Sequence, residues 1–387
     1  MRIGGRFDLT YCSNIHAGET WAEVRGSLGS ALPVIRRSLG HTGPFAVGLR
    51  LSSRAAEELN HEDRTLQEFR AFLRDGDYYV PTINGFPYGA FHGERVKENV
   101  YLPDWRQPAR VEYSNTLATL LATFLADANA PAGSVSTVPG AFKREIKSEE
   151  DVRLMARNIL DHVRHLVRLH DRTGVTVTLA IEPEPACFIE TIDEAVAFFS
   201  RHLFESPELS VDDLRRHVGV CFDTCHMAVE FEDAASALRR LEDAGICVPK
   251  FQISSALRIP RPLTGSAGRN ALARFADTTY LHQVVERREG ALSRFVDLPD
   301  ALATPGCSDC EWRVHFHVPV FLPSMGALET TQADLVGVLD LLKQRDQAAC
   351  LEVETYTWDV LPAEYKTLDM HAAIARELAW VRSRLTA

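Results

Sequence analysis

Val220-Cys221-Phe222-Asp223-Thr224-Cys225-His226 carries an apolar run into an acid and places a histidine three residues later. The apolar residues suit a buried strand, whose end sets Asp223 at the mouth of its sheet and His226 on the first turn beyond. Two further stretches have the same form. Val175 to Ile181 runs into Glu182-Pro183-Glu184-Pro185, and Cys350-Leu351-Glu352-Val353-Glu354 runs into Thr355-Tyr356-Thr357-Trp358. Apolar strands that end in carboxylates predict a parallel barrel with its site at the carboxyl ends of the strands. A buried acid needs a partner, and several acids aimed at one another need a cation or shared protons.

The rest of the chain supplies the remaining strands and helices of such a barrel. Strand candidates come at Phe7–Cys12, Phe45–Leu51, Tyr78–Asn84, Gly133–Val138, Val175–Glu182, Val218–Asp223, Val248–Ser254 and Cys350–Glu354. Between them, apolar residues at helical spacing predict helices over Trp21–Leu39, Arg54–Arg74, Ala109–Asp127, Ser148–His170, Val196–Leu203 and Ala234–Ala244. Thr331 with Asp334 predicts a capping box at the start of the helix before strand eight. The fold class expected is α/β, an eight-stranded (β/α)8 barrel forming a single domain over residues 1–387. Arg313–Val318 reads as a ninth strand and is placed in a long excursion, residues 255–326, between strands seven and eight. On a straight strand only one of His315 and His317 faces inward; His317, nearer the exit, is preferred.

Hydrophobic residues make up 45% of the 387, enough for a substantial core, and the formal net charge is -11 with both signs spread along the chain. That balance opposes nucleic-acid binding. No stretch is apolar for long enough to span a membrane, so no membrane insertion is expected. The start, Met1-Arg2-Ile3-Gly4-Gly5-Arg6, has no signal-peptide pattern, and the expected location is cytoplasmic. The 8 cysteines do not form a disulfide framework. Cys307-Ser308-Asp309-Cys310 has zinc-ligand spacing without a second pair, and is read as an ordinary loop pair of thiols outside the site.

Glu182, Asp223 and Glu354 each end a barrel strand and converge on a divalent-metal site, with His226, His315 and His317 as candidate nitrogen donors. The loop from Gly85 to Trp105, with Lys97, Trp105 and the following Arg106, reads as a lid or pocket wall suited to a polar, anionic ligand. A surface flap is the plainer reading of the same stretch.

The Asp223-Thr224-Cys225-His226 motif after an apolar strand, with the strand ending Glu182-Pro183, resembles the xylose-isomerase-like TIM barrels. Leu9–His16, Thr82–Gly89, Lys97–Trp105, Thr279–Val284 and His315–Pro319 are similar to the EboE family, associated with metabolite traffic and secondary metabolism. The superfamily resemblance implies a divalent metal (Mg, Mn or Zn) and isomerisation or epimerisation of a small sugar-like or hydroxylated metabolite. It implies Glu182, Asp223 and Glu354 as metal ligands, to which the position of His317 near its strand exit adds a fourth. Glu182 and Glu354 are then the acid/base pair, and His226 lies beside the substrate as a third catalytic residue that holds or protonates a developing oxyanion. Asn84, Lys97, Trp105, Gln252 and His282 are the expected substrate contacts. The epimerases carry a metal-binding histidine on strand seven, where this chain has Gln252 and Ser254. A non-catalytic binding or handover protein and a metal-dependent phosphoesterase remain open alternatives. The partners expected are a small polar metabolite and proteins of the same operon.

Overall fold

The computed structural model describes residues 1–93 and 95–386. Its central feature is a nine-stranded sheet. Strands one to eight are Phe7–Tyr11, Phe45–Arg50, Tyr78–Asn84, Ala132–Thr137, Thr176–Ile181, Val218–Asp223, Cys247–Ile253 and Ala349–Val353. From strand two to strand eight each pairs in parallel with the next, and strand eight pairs in parallel with strand one. Arg2–Ile3 adds a short antiparallel edge to strand one. The fold is an α/β TIM barrel, with helices between the strands covering its outside.

Closure between strands one and two rests on a side chain. Thr10 Oγ1 donates to Ala46 O (2.9 Å) and accepts from the Gly48 N–H (2.8 Å), and Cys12 and Gly48 form a single parallel bridge. Gly48 is confined to glycine by this closeness. A Cβ there would lie 1.9 Å from Glu352 Oε1 and 2.5 Å from Tyr11 O.

The helices follow the apolar spacing, with local corrections. Trp21–Ser38 and Glu149–Thr173 start on capping boxes, Thr20 with Glu23 and Ser148 with Asp151. The helix expected over Arg54–Arg74 is two, Ser53–His61 and Asp63–Asp75, broken where Glu62 is extended. Asn60, His61 and Asp63 are all weak helix formers, which favours a break there. The box expected at Thr331 does not form. Thr331 Oγ1 accepts the Ala256 N–H (2.8 Å) and so serves a neighbouring strand rather than its own helix.

Between strands seven and eight lies a second, six-stranded antiparallel sheet. Its order is Ala291–Phe295, Val284–Arg288, Cys310–Val314, Leu257–Pro260, Leu328–Thr330, Ser324–Met325. The strand expected over Arg313–Val318 is therefore Cys310–Val314, and His315 onward lies beyond its end. Among the described residues no helix is long and apolar enough to cross a membrane.

Candidate metal centre

Asp223 ends strand six, Glu182 and Glu354 directly follow strands five and eight, and one carboxylate oxygen from each lies within 4.8 Å of the others. Asp223 is fully buried, and its two oxygens have separate tasks. Oδ1 accepts the N–H groups of Cys225 (2.6 Å) and His226 (3.0 Å) and the Ser254 hydroxyl (2.7 Å), capping helix Thr224–Val229. Oδ2 has no hydrogen-bond partner among the described residues, nor has Glu182 Oε2. Glu354 Oε1 accepts from Asn14 Nδ2 (2.7 Å) and Asn84 Nδ2 (3.2 Å). Burial, with Glu354 and Asp223 beside it, pushes the Glu182 carboxyl well above the usual carboxylate range. Burial, then Asp223 and Glu352, does the same to Glu354. Bare buried oxygens that raise one another's proton affinity are the donor set a divalent cation fits.

Directly beneath these acids the barrel interior carries a charge pair. Lys250 Nζ meets Glu352 Oε2 at 2.6 Å with both side chains fully buried, and also donates to Ser136 Oγ (3.1 Å). Alternation then sets Gln252 on the same inward face as Lys250, opposite Asp223 and Glu352 in register. Gln252 is fully buried, and neither amide atom has a partner among the described residues. It stands on strand seven, where the histidine was missed.

Three histidines complete the cluster. His226 Nε2 lies 3.1 Å from His315 Nε2, and His315 Nε2 lies 3.3 Å from His317 Nε2. Asp223 Oδ2 stands 3.8 Å from His226 Nε2 and 3.9 Å from His317 Nε2. The expectation that only one of His315 and His317 faces inward is corrected. The strand ends at Val314, and Phe316 N–H turns back to Val314 O (2.8 Å), so the alternation rule stops before these residues. His317 also groups with Asp223 and His226 rather than with Glu182, and its Nδ1 side faces Glu354. Burial holds the His317 imidazolium down to about 4, and burial with His226 beside it holds His315 well below the ordinary histidine value.

The lid closes over this cluster as a packed wall. Val96 and Lys97 N–H groups both donate to Thr279 O (2.9 and 2.8 Å), and Phe91, Tyr280 and Tyr356 stack edge to face or tilted, 5.1 to 5.3 Å apart. The cleft beneath is lined by Asn14, Asn84, Phe86, Tyr101, Glu182, Glu184, His226, His315, Glu354 and Tyr356.

Several expected ligand contacts have other tasks. Lys97 Nζ is consumed by Asp297 Oδ2 (2.6 Å), Tyr280 O (2.6 Å) and Asp277 O (3.1 Å), fastening the lid to the excursion. Trp105 is fully buried, with its indole N–H on Thr137 Oγ1 (3.2 Å), and belongs to the core. Arg106 is paired with Asp104 (2.7 Å). Both ring nitrogens of His282 are engaged, Nδ1 with His315 O (2.9 Å) and Nε2 with Asp277, so it braces the histidine segment. Asn84 lines the cleft but spends Nδ2 on Glu354. Cys307 and Cys310 are joined as a disulfide (Cα–Cα 5.7 Å) rather than free thiols; they sit beside Glu286 and Trp312, outside the centre.

Sequence reasoning passed over Glu184, Tyr101 and Gln283. Glu184 Oε1 accepts from Tyr101 OH (2.7 Å) and faces His315 Nδ1 at 3.7 Å. Gln283 Nε2 donates to Tyr101 OH (2.9 Å) and Pro185 O (3.0 Å). Glu184 had a signal, since Glu182-Pro183-Glu184 repeats the acid two residues on. Tyr101 had a weaker one, as an aromatic of the stretch read as a lid or pocket wall, and Gln283 had none, because it reaches the centre from the excursion.

A TIM barrel with buried acids and histidines at the carboxyl ends of its strands defines the class of protein. Residues 48–259, more than half the chain, match the family model described as xylose isomerase-like TIM barrel, and the chain belongs to that family. Among solved structures it is similar to a xylose isomerase-like TIM barrel protein from Mycobacterium smegmatis in complex with magnesium. There the identity is 12%, the coverage 100% of this chain and 99% of the other, and the TM-score 0.53. It is similar also to a D-tagatose 3-epimerase-like protein, at 10% identity, 98% coverage of both chains and a TM-score of 0.50. No curated protein matches the chain at a significant level.

Proposed function

We propose that this chain isomerises or epimerises a small sugar-like or hydroxylated metabolite with a divalent metal. One observation carries the reading: Glu182 and Glu354, from strands five and eight, face one lidded cleft as buried carboxyls with raised proton affinity, beside Asp223. A bound divalent cation would polarise the substrate oxygens and acidify the carbon proton alpha to a carbonyl. Glu182 and Glu354 are then the base that removes that proton and the acid that returns one. Their raised proton affinity suits both directions of transfer near neutral pH. Asn14 and Asn84 fix Glu354 Oε1 and leave Oε2 to act.

His226 Nδ1–H donates to Pro183 O (2.9 Å), which orients the ring with Nε2 toward His315 Nε2 (3.1 Å). The aromatic roof of Phe86, Phe91 and Tyr356 supports a small ligand sealed from water. The narrower EboE membership, a role in metabolite traffic and a cytoplasmic location belong to this proposal and rest on the sequence motifs alone.

Solvent hydrogen exchange tests the reading. Candidate ketoses and hydroxylated metabolites are incubated with metal-loaded protein in deuterated water. Deuterium enters at the carbon beside the carbonyl, and Glu354→Gln slows this at least about 100-fold, the usual range for loss of an acid/base group. Ligands that bind tightly yet gain no deuterium and give no product would overturn the isomerase reading in favour of a handover protein.

A further inference from the structure

The geometry points to a thiophilic cation site away from the barrel mouth, in the excursion, made of Cys307, Cys310 and Glu286 and available when the Cys307–Cys310 disulfide is reduced. Strand register builds it. Glu286 pairs with Trp312 and Arg288 with Cys310, so alternation puts these four side chains on one face of the antiparallel sheet. Cys307 joins Cys310 across the exposed residues Ser308 and Asp309. The Trp312 indole N–H donates to Glu286 Oε2 (2.7 Å) and fixes that oxygen in place. The same Oε2 stands 3.4 Å from Cys310 Sγ and 3.6 Å from Cys307 Sγ.

A disulfide sulfur carries no hydrogen, so in the oxidised form the carboxylate oxygen faces two sulfurs that can donate nothing to it. The separations are those of ligands sharing one ion. An ion about 2.3 Å from sulfur and about 2.1 Å from a carboxylate oxygen holds the two roughly 3.5 Å apart at a tetrahedral edge. Glu286 thus already stands at its ligand distance, and opening the disulfide is the remaining change. Two thiolates on one ion stand roughly 3.8 Å apart, too far for an S–S bond, so ion and disulfide exclude each other. Two thiolates and a carboxylate around a divalent ion leave one negative charge, which Arg288, 3.8 Å from Glu286 Oε1, offsets.

The site and the centre at the barrel mouth differ in chemistry. Thiolates select zinc or another soft ion and disfavour magnesium. Reduction takes two equivalents of a small-molecule thiol. The protein disulfide gains two electrons and two protons, and the two thiols that supply them become a disulfide. Binding the ion then releases the two cysteine protons. None of this depends on the isomerase reading, since its test measures thiolate coordination rather than turnover.

Metal-stripped protein is reduced with a phosphine, desalted without air and titrated with cobalt(II). A Cys225→Ala background is used, because the Cys225 sulfur lies near His315 and His317. Reduced protein is expected to develop intense thiolate-to-cobalt absorption in the near ultraviolet, and oxidised protein none. Cys307→Ser and Cys310→Ser are expected to lose the band, and Glu286→Gln to weaken cobalt binding there at least about tenfold. Circular dichroism shows which variants are folded. A second readout needs no substitution: zinc is expected to slow alkylation of Cys307 and Cys310 in the reduced chain at least about tenfold, followed by peptide mass spectrometry. Reduced protein without the band, or alkylation indifferent to zinc, overturns the proposal and leaves a plain dithiol beside a carboxylate. A band that survives in folded Cys307→Ser, or unchanged affinity in folded Glu286→Gln, overturns it too.

Discussion

Asp223 divides its work between two oxygens, and that division makes its roles separable. Oδ1 caps helix Thr224–Val229 through two N–H groups and holds Ser254, whereas Oδ2 is bare. An asparagine can keep the cap with its own Oδ1 while presenting an amide N–H₂ where the free oxygen was. Asp223→Asn is thus expected to change the stability of the metal-free protein by no more than about 1 kcal/mol, since asparagine caps nearly as well as aspartate. Bound metal is expected to fall to a small fraction of the wild-type content. Thermal melts with chelator and elemental analysis after reloading check the two halves; equal metal in both proteins would show that Oδ2 is not a ligand. This residue was legible in the sequence because an apolar strand running into an acid fixes both its burial and its place. His315 was harder to read. Its inward turn depends on a strand ending one residue earlier, and no local signal marks that end.

Elements brought from far along the chain hold the centre in place, and the C-terminal helix Met370–Thr386 shows how. Its Glu377 accepts from the Thr355 hydroxyl (2.7 Å) and the Val320 N–H (3.1 Å), tying together the segments that carry Glu354 and His317. Burial pushes this carboxyl up to about 7, with both hydrogen bonds opposing the shift. The folded pKa lies above the unfolded one, so the folded state binds the extra proton between about 4.5 and 7. Stability from this group therefore falls as pH rises through that window, by an amount on the order of 2–3 kcal/mol between pH 5 and pH 8. Glu377→Gln removes the titration, so its stability relative to wild type should improve by about that much over the same range. Urea unfolding at pH 5 and pH 8 measures it, and parallel profiles for the two proteins would disprove it. Helix positions were readable from apolar spacing, as Trp21–Ser38 and Glu149–Thr173 demonstrate. The role of Glu377 was not, since a lone glutamate on a helix reads as solvated. Lys97 misled for the complementary reason: a lysine in an aromatic loop suggests a ligand, and its fastening to Asp297 appears only when residues far apart in sequence meet.

For the whole molecule, the open question is whether the excursion is a separate body or part of the barrel's own structure. Its sheet is antiparallel and does not extend the barrel sheet. Yet it supplies His315 and His317, and its Asp297 and Thr279 hold the lid through Lys97 and Val96. The barrel answers with contacts of its own. Thr357 donates to His317 O, Thr331 Oγ1 accepts from the Ala256 N–H, and Ala228 O accepts from Arg313 (2.7 Å). Fully buried residues of both sheets, Phe251 and Ile253 with Trp312 and Val314 among them, belong to one apolar cluster. A sheet with its own core and few ties would melt separately, whereas one whose apolar residues are shared has no face left to fold on. We therefore propose that residues 1–387 unfold as a single domain. The expected result is one denaturant transition with the same midpoint by far-ultraviolet circular dichroism and by fluorescence of Trp312, which lies inside the excursion. A version carrying phenylalanine at the other tryptophans isolates that signal. Coincident probes are the test of a single cooperative unit. A Trp312 signal that changes well before the helical signal would divide the chain into two units, and would make the histidine segment the part that loosens first.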